Sequence, residues 1–496
     1  MTSTHAMGIQ SRPGRRQVLR AGMQLLGSGT ILSALAACGG SAPAAPAAAP
    51  TAKPAATTAP APTVAPAVPT PAPAPSKPPA TVRYLTWWAL DRSSTIEEWT
   101  KAFKQDAPNV TVEVENITLA EYNTKFQVLI SSGTPPDTVL QNSHAQTRWY
   151  DAGVHLDLTS LLARDKVNLQ KDYALMGTEV WCGKTYALPM DADANAIFFN
   201  RTMALKAGLK DPWDDNLGTW TLDSMIDMAK RVTQDTDRDG KVDQWGIAWA
   251  YTHPSHVAQF VWTKGGDIAD FNDMKYVIDG PASMEAHQQI YTWLTKDKLI
   301  ITNAETADIQ KAYSKTNPFR TGRVLFHVRA VADVRTNAKE IGDSFEWDVL
   351  PFPKGADGRP GIPLVSGNPH SVVAASKVTD AAYQWAMHIS GSKGQDVLAR
   401  TQSLPALRSK QEVFLTTPPK HVKTFQDVYA KPYGIHFRHH FTNDAWDIYG
   451  AAVNKIYAGE TPLLAGLQEA NRMMNDKLKY GQCAPYKGLT IPIRPA

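Results

Sequence analysis

The chain has 496 residues, of which 43% are hydrophobic and 20% charged, and its formal net charge is +4. This length allows two to four ordinary domains or one two-lobed unit with tails, and the composition excludes a polytopic membrane protein and a wholly disordered chain. Four arginines in the first 37 residues, a stretch without Asp or Glu, account for the whole net charge. The neutral remainder argues against nucleic-acid binding, because phosphates require a concentrated excess of Lys and Arg.

Residues 1–37 are typical of a twin-arginine lipoprotein signal peptide. Arg15 and Arg16 precede an uncharged, moderately apolar run from Ala21 to Ala37, which ends in Leu35-Ala36-Ala37-Cys38-Gly39. Such a run suits a secretory signal and is short for a membrane span, although a short amphipathic helix of the mature protein is the alternative. Its end resembles the bacterial lipobox, which implies that Cys38 becomes the acylated first residue. We therefore expect an extracytoplasmic protein, lipid-anchored to the outer face of the cytoplasmic membrane or in the periplasm.

Residues 38–80 combine this predicted anchor with a linker. From Ser41 to Ala80 the sequence is almost entirely Ala, Pro and Thr and has no aromatic residue. It cannot bury enough surface to fold, and its prolines favour an extended, disordered spacer.

Two more cysteines, Cys182 and Cys483, follow in the body of the chain. In an oxidising compartment they either form a disulfide or remain two buried thiols. The sequence does not decide between these alternatives, because a disulfide requires the two Cα atoms to lie within about 7 Å.

From Thr81 onward, predicted strands and helices alternate. Val82, Tyr84, Thr86 and Trp88 alternate as a strand, and Ser94 with Glu97 forms a capping box before a helix. Two further strands, at 110–114 and 137–140, flank a second helix capped by Thr118. This βαβαβ order predicts a mostly parallel sheet with right-handed crossovers.

The same α/β pattern continues to the C-terminus. Strands are predicted near 194–199, 245–249, 324–328 and 372–375, and helices near 221–232, from Pro281, and near 381–389, 444–457 and 464–478. About 415 residues of this pattern exceed one comfortable core, so we expect two lobes.

Six segments in the body resemble motifs of one transport family. They are Ser132-Gly133-Thr134-Pro135-Pro136-Asp137, Gly183-Lys184-Thr185-Tyr186-Ala187-Leu188-Pro189, Ile197-Phe198-Phe199-Asn200-Arg201, Trp220-Thr221-Leu222-Asp223, Phe319-Arg320-Thr321-Gly322-Arg323-Val324 and Leu350-Pro351-Phe352-Pro353-Lys354-Gly355. Their content and order are similar to those of the extracellular solute-binding proteins of ABC importers, family 1, the group of maltose-binding protein.

This resemblance implies a type II periplasmic-binding-protein fold in which two α/β lobes are joined by hinge crossings. It implies an N-terminal lobe of residues 81–191 and about 367–425, and a C-terminal lobe of residues 192–366 and about 426–496. The implied function is the capture of a sugar or oligosaccharide in the cleft between the lobes and its delivery to ABC permease subunits. We expect a monomer that is not an enzyme and does not bind nucleic acid.

Candidate ligand-binding residues follow from the carboxyl ends of strands, where open α/β sheets bind ligands. Aromatic planes beside carboxylates and amides suit the apolar face and hydroxyl rim of a sugar. By this rule and by the resemblance, the candidates are Trp87, Trp88, Gln141, Asn142, His144, Asp191, Asp193, Trp262, Ser366, Gly367, Asn368, Tyr433 and Trp446.

Structural roles are the alternative for several of these residues. Trp88 shares the strand face of Val82 and Tyr84, so Trp87 and Trp88 are not equally suited to face a cleft. Asp191 and Asp193 are as well placed to brace the hinge as to bind a ligand.

An acidic loop predicts a weak structural calcium site outside the cleft. Asp235, Asp237, Asp239 and Asp243 occupy positions 1, 3, 5 and 9 of a calcium loop, with Gly240 at position 6. Position 12 is Gly246 instead of a bidentate Glu. The alternative is an acidic turn held by its own side-chain hydrogen bonds. We expect no other cofactor.

Other chemical motifs are incomplete. Gly183-Lys184-Thr185 lacks the first glycine of a phosphate-binding loop, and Ser390-Gly391-Ser392-Lys393 is predicted to be a turn between helices. His436, His439 and His440 cluster without an acidic or cysteine partner at a metal-ligand spacing.

Two other functions stay open besides the receptor. One is a secreted carbohydrate-active enzyme whose pair of acids forms no sequence motif. The other keeps the binding fold for a polyamine, iron or a phosphorylated compound.

Overall fold

The computed structural model describes residues 78–88, 93–141, 147–174, 177–270, 273–314, 317–430 and 442–478. These residues all belong to one unit of the fold, Pro73–Ala496. The predicted signal peptide, Cys38, nearly all of the linker and Cys483 lie outside the described residues.

The strands of the described chain follow in order. They are β1 (Ala80–Thr86), β2 (Val110–Asn116), β3 (Thr138–Leu140), β4 (Val180–Trp181), β5 (Lys184–Thr185), β6 (Asp193–Asn200), β7 (Trp245–Ala248), β8 (Ala269–Asp270), β9 (Lys275–Tyr276), β10 (Val324–Ala330), β11 (Trp347–Leu350), β12 (Val365–Ser366) and β13 (His370–Val372).

The helices alternate with these strands and then dominate the C-terminal part. They are α1 (Ser93–Asp106), α2 (Leu119–Ser131), α3 (Thr147–Asp151), α4 (Thr159–Arg164), α5 (Leu169–Asp172), α6 (Arg201–Lys206), α7 (Leu222–Val232), α8 (Pro254–Thr263), α9 (Pro281–Thr295), α10 (Asn303–Tyr313), α11 (Asp333–Ile341), α12 (Thr379–Ser390), α13 (Ser392–Thr401), α14 (Glu412–Leu415), α15 (Thr424–Asp427), α16 (Thr442–Tyr457) and α17 (Leu463–Asp476).

The N-terminal lobe contains the predicted βαβαβ unit. Its sheet has the order β13-β3-β1-β2, in which β1 is parallel to both β2 and β3. The parallel register runs from Ala80 opposite Val110 to Thr86 opposite Asn116. The returning strand β13 is antiparallel to β3 and closes one edge of the sheet.

The C-terminal lobe has a mixed sheet with the order β11-β6-β10-β7, and β12 also pairs with β6. Strands β7 and β10 are parallel, whereas β6 is antiparallel to both β10 and β11. Strand β6 departs from the mostly parallel arrangement because it enters this lobe from the hinge and runs away from it, while its neighbours run back toward the hinge.

Alternating side chains of the central strands build a core on each face of each sheet. In β1, Val82 and Tyr84 contribute to one core of the N-terminal lobe and Leu85 to the other. In β6, Phe199 contributes to one core of the C-terminal lobe and Phe198 to the other. This period of two is the pattern expected for a sheet covered by helices on both faces.

Helix starts follow local capping rules. The Thr118 hydroxyl accepts a hydrogen bond from the Glu121 backbone N–H at 3.3 Å, and Thr221 with Ser224 forms a reciprocal capping box at the start of α7. Helix α1 begins at Ser93, so Ser94 lies within the helix and not at its cap. Pro281 occupies the first turn of α9, as predicted.

Three chain segments cross between the lobes side by side. The backbone N–H of Ala192 donates to the Leu404 carbonyl at 2.9 Å, and that of Ala406 donates to the Met190 carbonyl at 3.1 Å. The third crossing, 366–369, lies between β12 and β13. We call these three segments, 190–193, 366–369 and 403–407, the hinge.

The crossing at 403–407 corrects the predicted lobe boundary near residue 425. Residues after the hinge pack on the C-terminal lobe, since the Phe425 ring lies 5.8 Å from that of Phe198 and the His421 ring stacks on Trp213. The chain thus returns to the C-terminal lobe at 403–407. Residue spacing gave no sign of this return because 403–407 has no strand alternation.

Candidate functional site

The carboxyl ends of the parallel strands in both lobes point toward the hinge. In the N-terminal lobe, β3 ends opposite the first residue of β13, which directly follows the 366–369 crossing. In the C-terminal lobe, β6 begins within the first crossing, and β10 ends opposite that beginning at Ala330 and Asn195. Since open α/β sheets bind ligands outside these strand ends, the candidate site lies between the lobes beside the hinge. We call this region the cleft.

Two acidic side chains brace the hinge. The buried Asp191 carboxylate accepts hydrogen bonds from the Asn368 backbone N–H at 2.8 Å and from its side-chain amide at 3.0 Å. The Asp193 carboxylate accepts one from the Ser366 hydroxyl at 3.1 Å, and the buried Gly367 lies between the two partners. The bracing role thus has direct contacts, and a ligand-binding role for these residues stays a prediction.

The two tryptophans after β1 have different environments. Trp88 is 1% exposed and stacks nearly parallel on Trp99, at 6.1 Å, in the same core as Val82 and Tyr84. This placement contradicts the expectation that Trp88 faces a ligand, because the turn that follows β1 places its ring in the core. Trp87 is half-buried and meets Tyr122 edge-on at 4.6 Å, so it is the stronger candidate.

The end of β3 supplies a buried amide. Gln141 is 2% exposed, and its side-chain amide donates to the Ser371 hydroxyl on β13. This contact joins two neighbouring strands at the cleft edge. Asn142 and His144, predicted as ligand-binding residues, lie outside the described part of the chain.

The aromatic candidates of the C-terminal lobe lie within its core. Trp262 on α8 is 4% exposed, and Trp446 on α16 is 8% exposed and lies 6.1 Å from the Tyr449 ring. As placed, neither presents an open aromatic face, so their roles in binding stay predictions. Tyr433, like the three histidines at 436, 439 and 440, is not among the described residues.

Strand ends of the C-terminal lobe carry polar residues that the sequence analysis did not select. His253 follows β7 and precedes α8; its Nδ1 lies 2.6 Å from the Ser255 hydroxyl, and its ring meets His256 edge-on at 5.5 Å. Arg329, near the end of β10, donates from Nε to Asp333 at 3.0 Å, and 44% of its side chain is accessible. Both β7 and β10 were predicted, so the strand-end rule applied to them would have found these residues.

The charges near the cleft influence one another. Burial, and to a lesser extent the Arg329 charge, lowers the pKa of His253. On α16, burial and the neighbouring Asp444 raise the pKa of Asp447, while the charge of Arg148 on α3 acts in the opposite direction. Arg148 lies 4.6 Å above the Trp149 ring. Helices α3 and α16 belong to different lobes, so this electrostatic influence acts between the lobes.

The acidic loop is built partly as a turn. Asp235 accepts hydrogen bonds from the backbone N–H groups of Arg238, at 2.6 Å, and of Gly240, at 2.7 Å. The Asp243 carboxylate is engaged by Thr236 and by Arg323 at 2.9 Å. Carboxylate oxygens of Asp235, Asp237 and Asp239 lie within 4.8 Å of one another, which fits a cation, and calcium binding stays a prediction.

The remaining motifs have structural roles among the described residues. Gly183 has a φ of 75° in the tight turn between β4 and β5, which places the Gly-Lys-Thr segment in a hairpin. The Ser390–Lys393 segment joins α12 to α13, as predicted. Cys182 is disulfide-bonded, which favours the first of the two alternatives for this cysteine; its pairing with Cys483 stays a prediction, since Cys483 is outside the described residues.

No helix within the described ranges is both long and apolar enough to cross a membrane.

The sequence matches one protein family over most of its length. The model of the bacterial extracellular solute-binding protein family matches residues 87–396. Among curated proteins, one from Brucella abortus (strain 2308) that is named as a binding protein is 24% identical over 276 residues, which cover 53% of this chain and 61% of that protein. The chain thus matches less than two thirds of the length of this curated relative.

Solved structures show the same fold. An ABC substrate-binding protein from Listeria monocytogenes, in complex with cycloalternan, has a TM-score of 0.70 at 19% identity and covers 81% of this chain and 100% of its own. The GacH receptor of Streptomyces glaucescens, solved unliganded and with acarbose, has a TM-score of 0.68 at 21% identity, with coverage of 81% and 100%. A maltose/maltodextrin-binding domain from Bdellovibrio bacteriovorus bound to maltotriose has a TM-score of 0.67 at 18% identity, with coverage of 80% and 99%.

The two-lobed α/β architecture, the three-segment hinge and the family match all agree. The chain belongs to the bacterial extracellular solute-binding protein family.

Proposed function

We propose that this protein is the substrate-binding receptor of an ABC importer, which captures a sugar or oligosaccharide between its lobes and delivers it unaltered to the permease. The observation that carries the proposal is the meeting of two sheet edges, both carboxyl ends of parallel strands, at a hinge of three crossing segments. A ligand at this position contacts both lobes.

Contact with both lobes supplies the driving force for closure. A ligand shifts the open–closed equilibrium only by its difference in affinity for the two forms. Trp87 from one lobe, and His253 and Arg329 from the other, offer an aromatic plane with hydrogen-bonding groups. This combination suits a sugar, which has an apolar C–H face and a rim of hydroxyls.

Three proteins of the same fold support the sugar class. Their descriptions name cycloalternan, acarbose and maltotriose as the bound molecules. Their identities to this chain, 18 to 21%, are too low to carry over a particular sugar. These three molecules are therefore the first ligands to test.

The N-terminal sequence supports an extracytoplasmic location. A twin-arginine motif, an uncharged run and the Leu-Ala-Ala-Cys segment at 35–38 fit a secreted lipoprotein whose acylated Cys38 holds a monomer to the membrane surface. The Ala/Pro-rich residues up to 80 would space the receptor from the membrane and let it reach the permease.

Calorimetry combined with mass spectrometry tests the receptor function. Titration with maltotriose, cycloalternan and acarbose is expected to give saturable binding at one site, and the recovered sugar is expected to have an unchanged mass. Sugar cleavage at enzyme-like rates would instead establish a carbohydrate-active enzyme. Binding of spermidine or ferric iron in place of every sugar would establish a different solute.

A pair of variants ties the binding to the cleft. Trp87→Ala is expected to weaken sugar binding about tenfold, which corresponds to about 1.4 kcal/mol. Leu464→Ala, which truncates an exposed apolar side chain on α17, is the matched control and should bind as the parent protein does.

A further inference from the structure

A cavity lies at the end of the C-terminal lobe that faces away from the hinge. It has a volume of about 640 Å³. Arg201, which directly follows β6, and Trp347, the first residue of β11, are among its lining residues. Because β6 starts at the hinge and β11 runs back toward it, these two strand ends are the distal ones. We call this cavity the distal pocket, and it is separate from the cleft.

One wall of the distal pocket is held rigidly. The His421 ring stacks on Trp213 with centroids 3.9 Å apart and planes 15° from parallel. The Trp213 indole N–H donates to the Val349 carbonyl at 3.0 Å, and this hydrogen bond holds the tryptophan of the stacked pair in place. Asp348, 6% exposed, accepts from the His421 backbone N–H at 3.0 Å and lies 2.6 Å from Nδ1. The histidine is therefore oriented before any ligand arrives.

The hydrogen-bonding groups of this pocket are mostly acceptors. An ionised carboxylate only accepts, so the Nδ1–H of His421 donates to Asp348. Five carboxylates line the pocket, those of Asp211, Asp214, Asp343, Glu346 and Asp348. Two permanent cations, Arg201 and Lys420, also line the pocket, so these seven groups carry a net charge of −3.

Some of the hydrogen-bond donors of the pocket are already paired with its own carboxylates. Arg201 donates to Asp211 at 2.7 Å and to Glu346 at 2.6 Å. The carboxylates of Asp214 and Asp343 are exposed at the rim of the same pocket. Because five carboxylates outnumber Arg201 and Lys420, a ligand with N–H donors and a positive charge complements this surface.

Other ligand classes fit less well. Anions are repelled by the net charge, and a neutral sugar needs donors as well as acceptors from its site. Within the described residues, three acidic or histidine ligand atoms approach within 4.8 Å of one another only at Asp235, Asp237 and Asp239, so the distal pocket does not hold a ready metal site. The rings of Trp347 and Phe345, which also line the pocket, favour an organic cation, because aromatic faces attract ammonium and guanidinium groups.

We propose that the distal pocket binds a small organic cation of the polyamine class through its ammonium groups. The rim carboxylates of Asp214 and Asp343 would attract the cation and accept hydrogen bonds from it, while the rings of Trp347 and Phe345 would supply a π face. A lysine or arginine side chain of a protein partner carries the same chemistry and is the other source to be distinguished. The site is independent of sugar binding in the cleft.

The test is titration of the full chain with spermidine at low ionic strength. Spermidine is expected to bind saturably at one site, and Asp214→Asn and Asp343→Asn should each weaken it about three- to fivefold, as expected for one charge lost at contact distance in water. Asp308→Asn, the same change at an exposed position on α10, is the matched control and should have no effect. Absence of saturable binding, or equal weakening in all three variants, overturns the proposal.

Two further arms separate the sources and the sites. A five-residue peptide with one central lysine should bind at least tenfold more weakly than spermidine; equal or tighter peptide binding overturns the polyamine as the source. A sugar that occupies the cleft should leave spermidine binding unchanged. Displacement of spermidine by the sugar would show that spermidine binds in the cleft, and would overturn the distal pocket as its site. The sugar affinity of Asp214→Asn and Asp343→Asn should equal that of the parent protein. A negative result with spermidine would therefore leave the proposed receptor function unaffected.

Discussion

The hinge brace at Asp191 gives the sharpest stability prediction. Its carboxylate is 1% exposed and accepts two hydrogen bonds from Asn368, at 2.8 and 3.0 Å. Hydrogen bonds to charged groups contribute about 1.5–3 kcal/mol each, and a buried donor left without an acceptor costs a similar amount. Asp191→Asn keeps one acceptor oxygen but turns an N–H₂ group toward a donor of Asn368. We therefore expect a loss of about 2–4 kcal/mol in the free energy of unfolding.

Urea denaturation followed by tryptophan fluorescence measures this loss. Asp308→Asn makes the same chemical change on the exposed surface of α10 and should alter the free energy of unfolding by less than about 0.5 kcal/mol. If Asp191→Asn is as mild as this control, the hinge contacts between 190–193 and 366–369 do not carry the stability assigned to them.

Three other predictions test the core, the pH response and the acidic loop. Trp88→Ala should lower the free energy of unfolding by about 3–5 kcal/mol, because it empties a core position, whereas half-buried Trp87→Ala should cost much less; equal losses would contradict their assignment. Burial lowers the pKa of His155 and of His370 to about 3, against about 6.5 in the unfolded chain, so stability should be complete above pH 6.5 and fall as the pH drops toward 3. Urea denaturation midpoints measured between pH 7.5 and 4.5 check this pH dependence. His155→Phe should reduce the loss of stability at low pH, and a midpoint independent of pH would refute the prediction. Calcium should raise the melting temperature, and Asp237→Asn should abolish the rise; an unchanged rise in the variant would exclude the acidic loop as the calcium site.

Much of the fold was predictable because hydrophobic periodicity and capping act locally. The alternation in β1 and β2, the Thr118 and Thr221 caps and the Pro281 start of α9 all depend on neighbours a few residues apart. The motifs spread between 132 and 355 then indicated the two-lobed arrangement. Strand direction within the C-terminal sheet depends on where the chain enters the lobe, so the antiparallel β6 was not apparent.

The candidate site was predictable only in part, for a physical reason. A strand end tells which residues lie near the cleft, but burial decides which of them face it, as the contrast between Trp87 and Trp88 demonstrates. His253 and Arg329 satisfied the same strand-end rule and were missed because the rule was not applied to β7 and β10. The distal pocket combines residues about 220 positions apart, from Arg201 to His421, and no local pattern could bring them together.

Small-angle X-ray scattering of the protein without and with a saturating sugar tests the central claim most directly. Closure of two lobes about the hinge predicts a smaller radius of gyration once the sugar that calorimetry identifies is bound. An unchanged radius of gyration at saturation would contradict a ligand held between moving lobes.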